Sequence, residues 1–270
     1  NGKVAICSKN KNQKLFNLSI GGFGLTGIII SAKIKLKKIK SIYVNQKIKK
    51  FSSYKEFFNL IYEANSYEYY VSWIESISKN NIKRLTFFGK HKMNDKNLKL
   101  NINDKKFDII SFLYLKFFVN NYFGIRLINF IYKKIKLIFH KKIVDVNEFF
   151  YPQDKFTDFN KIYGANGFIQ VQFVVRKVYF EKIMNEISIF FKKKGLFSSF
   201  IIVKTINEKG QYLNYTGNGI SISMDLPVKN KRKLIENFMN YIFKKYNVDI
   251  NFSKDSIVDY DFIKKNKNYL

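Results

Sequence analysis

The chain has 270 residues, which suits one large domain or two modest ones, and its 46% hydrophobic and 18% aromatic content excludes wholesale disorder. A single cysteine, Cys7, excludes a disulfide framework, and with only two histidines, His91 and His140, the composition speaks against a metal centre. The formal charge is +29, yet only four of the 49 basic residues are arginine (Arg84, Arg126, Arg176, Arg232). Lysine cannot supply the bidentate contacts on which nucleic-acid readers lean, and the lysines are spread along the whole chain, so no nucleic-acid partner is expected. Abundant Lys, Ile, Asn, Phe and Tyr fit codon bias in AT-rich coding, with an anionic membrane or substrate surface as the alternative use of the charge. Asn1 in place of an initiator methionine, and the abrupt end at Leu270, read as a piece of a longer protein.

In chain order, Lys3–Cys7 reads as a short strand, followed by a polar turn and an apolar helical turn around Leu15 and Phe16. Gly21, Gly22, Gly24 and Gly27 then fall within seven residues, and Ile28–Leu36 alternates apolar and polar as a half-buried strand does. Residues 38–50 read as a further strand. Tyr54–Asn65 reads as an amphipathic helix with Phe57, Phe58, Ile61 and Tyr62 on one side, and Tyr67–Ile77 as a strand containing Trp73. Residues 109–143 are strongly apolar and aromatic with a fringe of lysine. Lys116 and Arg126 keep their uncharged runs below the roughly 18–20 residues that span a bilayer. This stretch is either a buried helix pair or an interfacial segment lying on a membrane. The last third predicts strands at Gly167–Val175, Phe197–Ile206 and Gly219–Leu226, and helices at Val178–Lys194 and Lys229–Tyr246. That order predicts an α+β fold, an antiparallel sheet covered by helices.

Gly22-Phe23-Gly24-Leu25-Thr26-Gly27 matches G-x-G-x-x-G, but it opens a β-rich run rather than a helix, and no acid follows about twenty residues on. It is therefore not a Rossmann turn. A tight turn with positive φ, or a backbone that a ligand approaches closely, both remain open. Gln170 and Gln172 share one face of their strand, an arrangement that suits either a polar ligand or cross-strand hydrogen bonds.

Several ordered stretches carry a resemblance. Asn1-Gly2-Lys3-Val4, Leu15-Phe16 and Ser19–Ile29 resemble the end of the FAD-binding domain in the vanillyl-alcohol-oxidase (PCMH) type of flavoprotein. Within that group they are most similar to the decaprenylphosphoryl-β-D-ribose 2′-oxidase branch. Phe149–Asp154, Asn160–Gly164, Gly167–Val175, Ser198–Lys204, Ser221–Pro227 and Ser253–Ser256 follow in the family's order, and Trp73 falls where the family keeps a tryptophan. Arg176 stands where a proline is usual, and Ser223 where some members carry cysteine.

The resemblance implies that residues 1–38 are a C-terminal remnant of the FAD-binding domain and 39–270 a substrate-binding domain that returns to the flavin near 251–256. It implies FAD as cofactor, contacted by Gly21, Gly22, Gly24, Leu25, Thr26, Gly27, Ile28 and Lys254, with no metal. It assigns Lys254 and Gln172 to catalysis and Trp73, Gln170, Gln172 and Lys204 to the substrate. The implied reaction is oxidation of a secondary hydroxyl on a polyprenyl-phosphate-linked pentose, with a partner reductase for the keto product. The implied place is the cytoplasm, with peripheral membrane contact through 109–142. The alternatives are a sugar-lactone or small-alcohol oxidase of the same fold, a basic lipid- or nucleic-acid-binding module, and an inactive truncated product. His91 and His140, in lysine-rich surroundings, read as surface residues.

Overall fold

A computed structural model describes residues 2–75, 84–92, 120–152, 163–165, 167–198, 200–208, 215, 217–254 and 257–259. Eight strands form one sheet: β1 Tyr43–Phe51, β2 Tyr69–Ile74, β3 Arg84–His91, β4 Lys141–Asp145, β5 Phe168–Val175, β6 Phe200–Glu208, β7 Gly217–Pro227 and β8 Asp249–Ile250. Their order is β4-β1-β3-β2-β6-β7-β5-β8, and every neighbouring pair is antiparallel. Two four-stranded halves meet at β2 and β6, through Ser72↔Val203, Trp73↔Ile202 and Ile74↔Ile201. The helices are α1 Gln13–Ser19, α2 Tyr54–Glu63, α3 Tyr122–Ile138, α4 Val146–Phe150, α5 Lys177–Lys194 and α6 Arg232–Tyr246.

Periodicity decides which face of the sheet is covered. In α5 the buried residues are Phe180, Ile183, Met184, Ile187 and Phe191, one helical stripe; in α6 they are Ile235, Met239, Ile242, Phe243 and Tyr246. These stripes pack on the alternate residues Ile169, Val171, Phe173 and Val175 of β5 and Ile220, Ile222, Met224 and Leu226 of β7. From α2, Phe57 joins the same core and stacks on Phe180 at 5.1 Å. Two helix ends beside this core are capped in the ordinary way. Ser53 accepts from the Glu56 amide at the start of α2, and Gly195, with φ of 60°, closes α5. The α+β reading, an antiparallel sheet with helices against it, is what the chain builds.

Several expectations fail. Lys3–Cys7 forms no strand. Ile28–Leu36 pairs with no strand among the described residues, and its apolar side chains face outward, Ile28 being 93% exposed. Alternation marks a residue pattern that could sit in a sheet, but a strand also needs a neighbour. Tyr62 lies about 140° around α2 from Phe57 at 100° per residue and is 81% exposed, outside the buried stripe. His91 is buried, because β3 turns it inward while its neighbour Lys90 points to the solvent; His140 is exposed as expected. Residues 109–119, Asn160, Lys161, Asp255 and Ser256 lie outside the described residues. The remaining part of the apolar stretch is α3, which buries Gly124, Ile125 and Asn129 and leaves its other side open, so it is not a buried helix.

Candidate functional site

Opposite the α5/α6 core, the sheet presents the other set of alternate residues. Directly paired residues of antiparallel strands share a face, so the registers Gln172↔Ser223, Ser223↔Ile202 and Ile202↔Trp73 define one row across four strands. At about 4.8 Å per strand the row is roughly 14 Å long. A parallel row holds Gln170, Asp225 and Phe200, and another holds Val174, Ser221 and Lys204. Gln170, Gln172, Lys204 and Trp73 thus lie on one face of the sheet, although they come from three different strands.

Hydrogen bonds tie the polar members together. Gln170 Nε2 donates to Asp225 Oδ1 at 2.8 Å, and Gln172 Nε2 to Ser221 Oγ at 3.3 Å. Asn251 Nδ2 donates to Gln172 Oε1 at 2.8 Å, and the hydroxyls of Tyr215 and Ser221 lie 2.6 Å apart. Asp225 is buried, and burial pushes its carboxyl up to about 6, opposed by the hydrogen bond from Gln170, the charge of Lys254 and the nearby Tyr163 hydroxyl. Burial also pushes the Tyr215 phenol up to about 12. Gln170 and Gln172 therefore have cross-strand partners, as the sheet alone would require.

The turn that carries Lys254 is pinned to the same strand. Asn251 donates its backbone N–H to Gln172 O at 2.9 Å, beside the side-chain bond between the same two residues. Its Oδ1 accepts from Ser253 Oγ at 2.7 Å, and its carbonyl accepts from Lys254 N at 3.0 Å. Lys254 itself is exposed. From the glycine segment, Phe23 sets its ring edge-on to Phe252 of this turn, with centroids 6.4 Å apart.

The glycine segment follows α1 as consecutive turns, with Leu25 N bonded to Gly22 O and Gly27 N to Gly24 O. A Cβ at Gly22 would stand 2.1 Å from Leu18 O, so no side chain fits there. Gly24 has φ of +78° and nothing within 4 Å of where a Cβ would stand, which leaves open backbone. Ser19 donates its hydroxyl hydrogen to Leu15 O, so the 2.9 Å contact between Ser19 Oγ and Thr26 Oγ1 is donated by Thr26. Thr26 keeps acceptor capacity only.

Trp73 is less a wall than a core residue. It is 5% exposed, clusters with Ile48, Leu85 and Phe87, and is covered by Tyr132 of α3 edge-on at 4.9 Å. Lys204 is exposed at the other end of the face. Sequence reasoning missed Asp225, Ser221, Tyr215, Tyr163 and Asn251. Alternation in Gly219–Leu226 already placed Ser221, Ser223 and Asp225 opposite the apolar Ile220, Ile222 and Met224, a signal for the first two partners; Asn251 has no such local signal. Among the described residues no cluster of three or more His, Cys, Asp or Glu could hold a metal ion.

No family profile matches the chain. It is 28% identical over 241 residues to a decaprenylphosphoryl-β-D-ribose oxidase of Mycolicibacterium smegmatis, which covers 85% of this chain and 52% of that protein. The likeness to that branch read from the ordered motifs therefore holds over most of the chain, and the chain spans about half the length of this curated relative. A solved structure of a berberine bridge enzyme variant also aligns, with 10% identity, a TM-score of 0.34, and coverage of 76% of this chain and 40% of that one. That match is too loose to build on.

Proposed function

We propose that the chain is the larger part of the substrate-binding half, with an edge of the cofactor-binding half, of an FAD-dependent oxidoreductase acting on a secondary hydroxyl of a polyprenyl-phosphate-linked pentose. One observation carries the reading. Three stretches far apart in sequence, the glycine segment, the Asn251–Lys254 turn and the Gln172 face of β5, meet through Phe23–Phe252 and Asn251–Gln172. The similarity to a decaprenylphosphoryl-β-D-ribose oxidase supports the substrate class.

The residues present fit the cofactor. The backbone is open at Gly24, the apolar side chains of Leu25 and Ile28 are exposed, and Lys254 offers a cation on the adjoining turn. FAD, when bound, would supply the hydride acceptor for the carbinol carbon. This chain's own contribution is orientation and charge. Lys254 would favour negative charge developing on the ring, as a fixed cation does in a site that excludes water. Gln172, its carbonyl held by Asn251 and its amide by Ser221, presents a fixed polar edge, and Lys204 at the exposed end suits a phosphate or sugar hydroxyl. Asp225, with its carboxyl pushed up to about 6, changes its charge just below neutral pH beside Gln170 and Lys254.

Anaerobic mixing of the flavin-loaded protein with a polyprenyl-phosphoryl pentose tests the reading. Bleaching of the flavin bands faster than with a soluble aldonolactone is expected. Faster bleaching by the lactone would select a lactone oxidase on the same fold.

A further inference from the structure

Helix α3 has two apolar sides, and the structure occupies only one of them. Inward, Ile125 and Ile128 pack with Tyr163 and Phe168, while Leu137 and Tyr132 lie on the Trp73 cluster. α3 therefore crosses the same sheet face as Gln170, Gln172 and Asp225. Outward, Phe130, Phe123, Leu127, Ile138 and Ile131 fall within about 100° of the helix surface at 100° per residue, and all five are exposed, Phe123 at 77% and Ile138 at 71%. A globular helix normally turns such a stripe inward.

The charges around the stripe say what it meets. Residues 120–142 contain no Asp or Glu; at 100° per residue Lys134 falls within the stripe and Arg126 and Lys133 about 40–60° beyond its edge, whereas Lys136 lies inward over the Tyr132 ring and Lys142 pairs with Glu148. Lys134 sits within the stripe, its ammonium 5.6 Å from the Phe130 ring, and a lysine stem there can lie along apolar surface while its head reaches outward. A second copy of the chain docked by a two-fold axis would set these cations against their own counterparts. Anionic headgroups would neutralise them while acyl chains take the stripe.

We infer that the outer face of α3 is a docking surface for an anionic lipid bilayer. The helix lies in the interface plane, and the polar face of the sheet stands one helix diameter, about 10–12 Å, from the lipid. The inference rests on α3 alone and not on the flavin reading, so a vesicle assay and a flavin assay fail separately.

Flotation with vesicles of phosphatidylcholine plus phosphatidylglycerol, and with phosphatidylcholine alone, is the test. Binding to the anionic vesicles that weakens with added salt is expected. The double variant Leu127→Ser, Ile131→Ser should lower partitioning at least about tenfold, since burying one such side chain is worth more than a factor of ten. Lys134→Glu should weaken binding to anionic vesicles only. All three substituted side chains are exposed, and an unchanged circular dichroism spectrum would confirm that the variants fold. Three outcomes would overturn the inference: no binding to anionic vesicles, equal binding by the double variant, or a lipid-free dimer that the double variant abolishes.

Discussion

Replacing Asp225 by asparagine tests the polar face at its most buried carboxyl. Burial raises this group from 3.8 to about 6, despite the Gln170 hydrogen bond, the charge of Lys254 and the nearby Tyr163 hydroxyl. In the unfolded chain the carboxyl ionises near its ordinary value, while the folded chain keeps the proton until about pH 6. Between those values the folded state holds more protons, so this group's contribution to stability falls as pH rises across the window. A shift of about two units corresponds to about 3 kcal/mol lost between about pH 4 and about pH 7. Glu186, held below its ordinary value by Tyr246 and Lys245 against the opposing effect of burial, contributes with the opposite sign, so the parent's total profile mixes both. The difference between parent and Asp225→Asn isolates the one group. Urea unfolding read from the fluorescence of Trp73, the chain's single tryptophan, gives that difference at each pH. The parent should lose about 3 kcal/mol relative to the variant as pH rises through the window. A difference that stays flat with pH would refute the burial and coupling of Asp225 described above.

Lys254→Ala should leave the unfolding midpoint unchanged at low pH, where Asp225 is protonated and the exposed lysine has no charge to meet there, and should slow flavin reduction in the loaded protein by roughly a hundredfold. The same variant should move the Asp225 window to higher pH, because it removes a charge that lowers that carboxyl; an unmoved window would separate the turn from the sheet face. Phe180→Ala empties a fully buried site stacked on Phe57 and should cost about 3–5 kcal/mol in urea unfolding. Gly22→Ala forces a Cβ onto Leu18 O and should lower the thermal stability of the α1 turn, seen as faster amide exchange at Leu25 and Gly27.

The β6-β7-β5-β8 half of the sheet was legible because its signals are local. Period-two alternation in β5 and β7 and the helical stripes of α5 and α6 each occupy a few adjacent residues, with Gly195 marking the end of α5. What failed depended on partners distant in sequence. Ile28–Leu36 alternates like a strand, but no described strand lies beside it. His91 sits between Lys90 and Lys92 and reads as a surface residue, yet alternation in β3 buries it against Tyr69, whose hydroxyl lies 3.1 Å from its Nε2. The candidate site was legible as separate residue types in ordered motifs. Its assembly was not, because Asn251 reaches Gln172 across 79 positions and Phe23 meets Phe252 across more, contacts that no local pattern encodes. α3 shows a third case. Its apolar character was plain, but which side faced the sheet required the positions of Trp73, Tyr163 and Phe168.

The measurement that bears most directly on the account is flavin occupancy of the protein made from its complete reading frame, with and without Gly24→Val. Gly24 has φ of +78° in open backbone, where a β-branched side chain is strained and would occupy the space a cofactor needs. Bound flavin absorbance is expected in the parent and its loss in the variant, with the unfolding of the sheet unchanged. A parent without flavin, or a variant that keeps the parent's full absorbance, would contradict it.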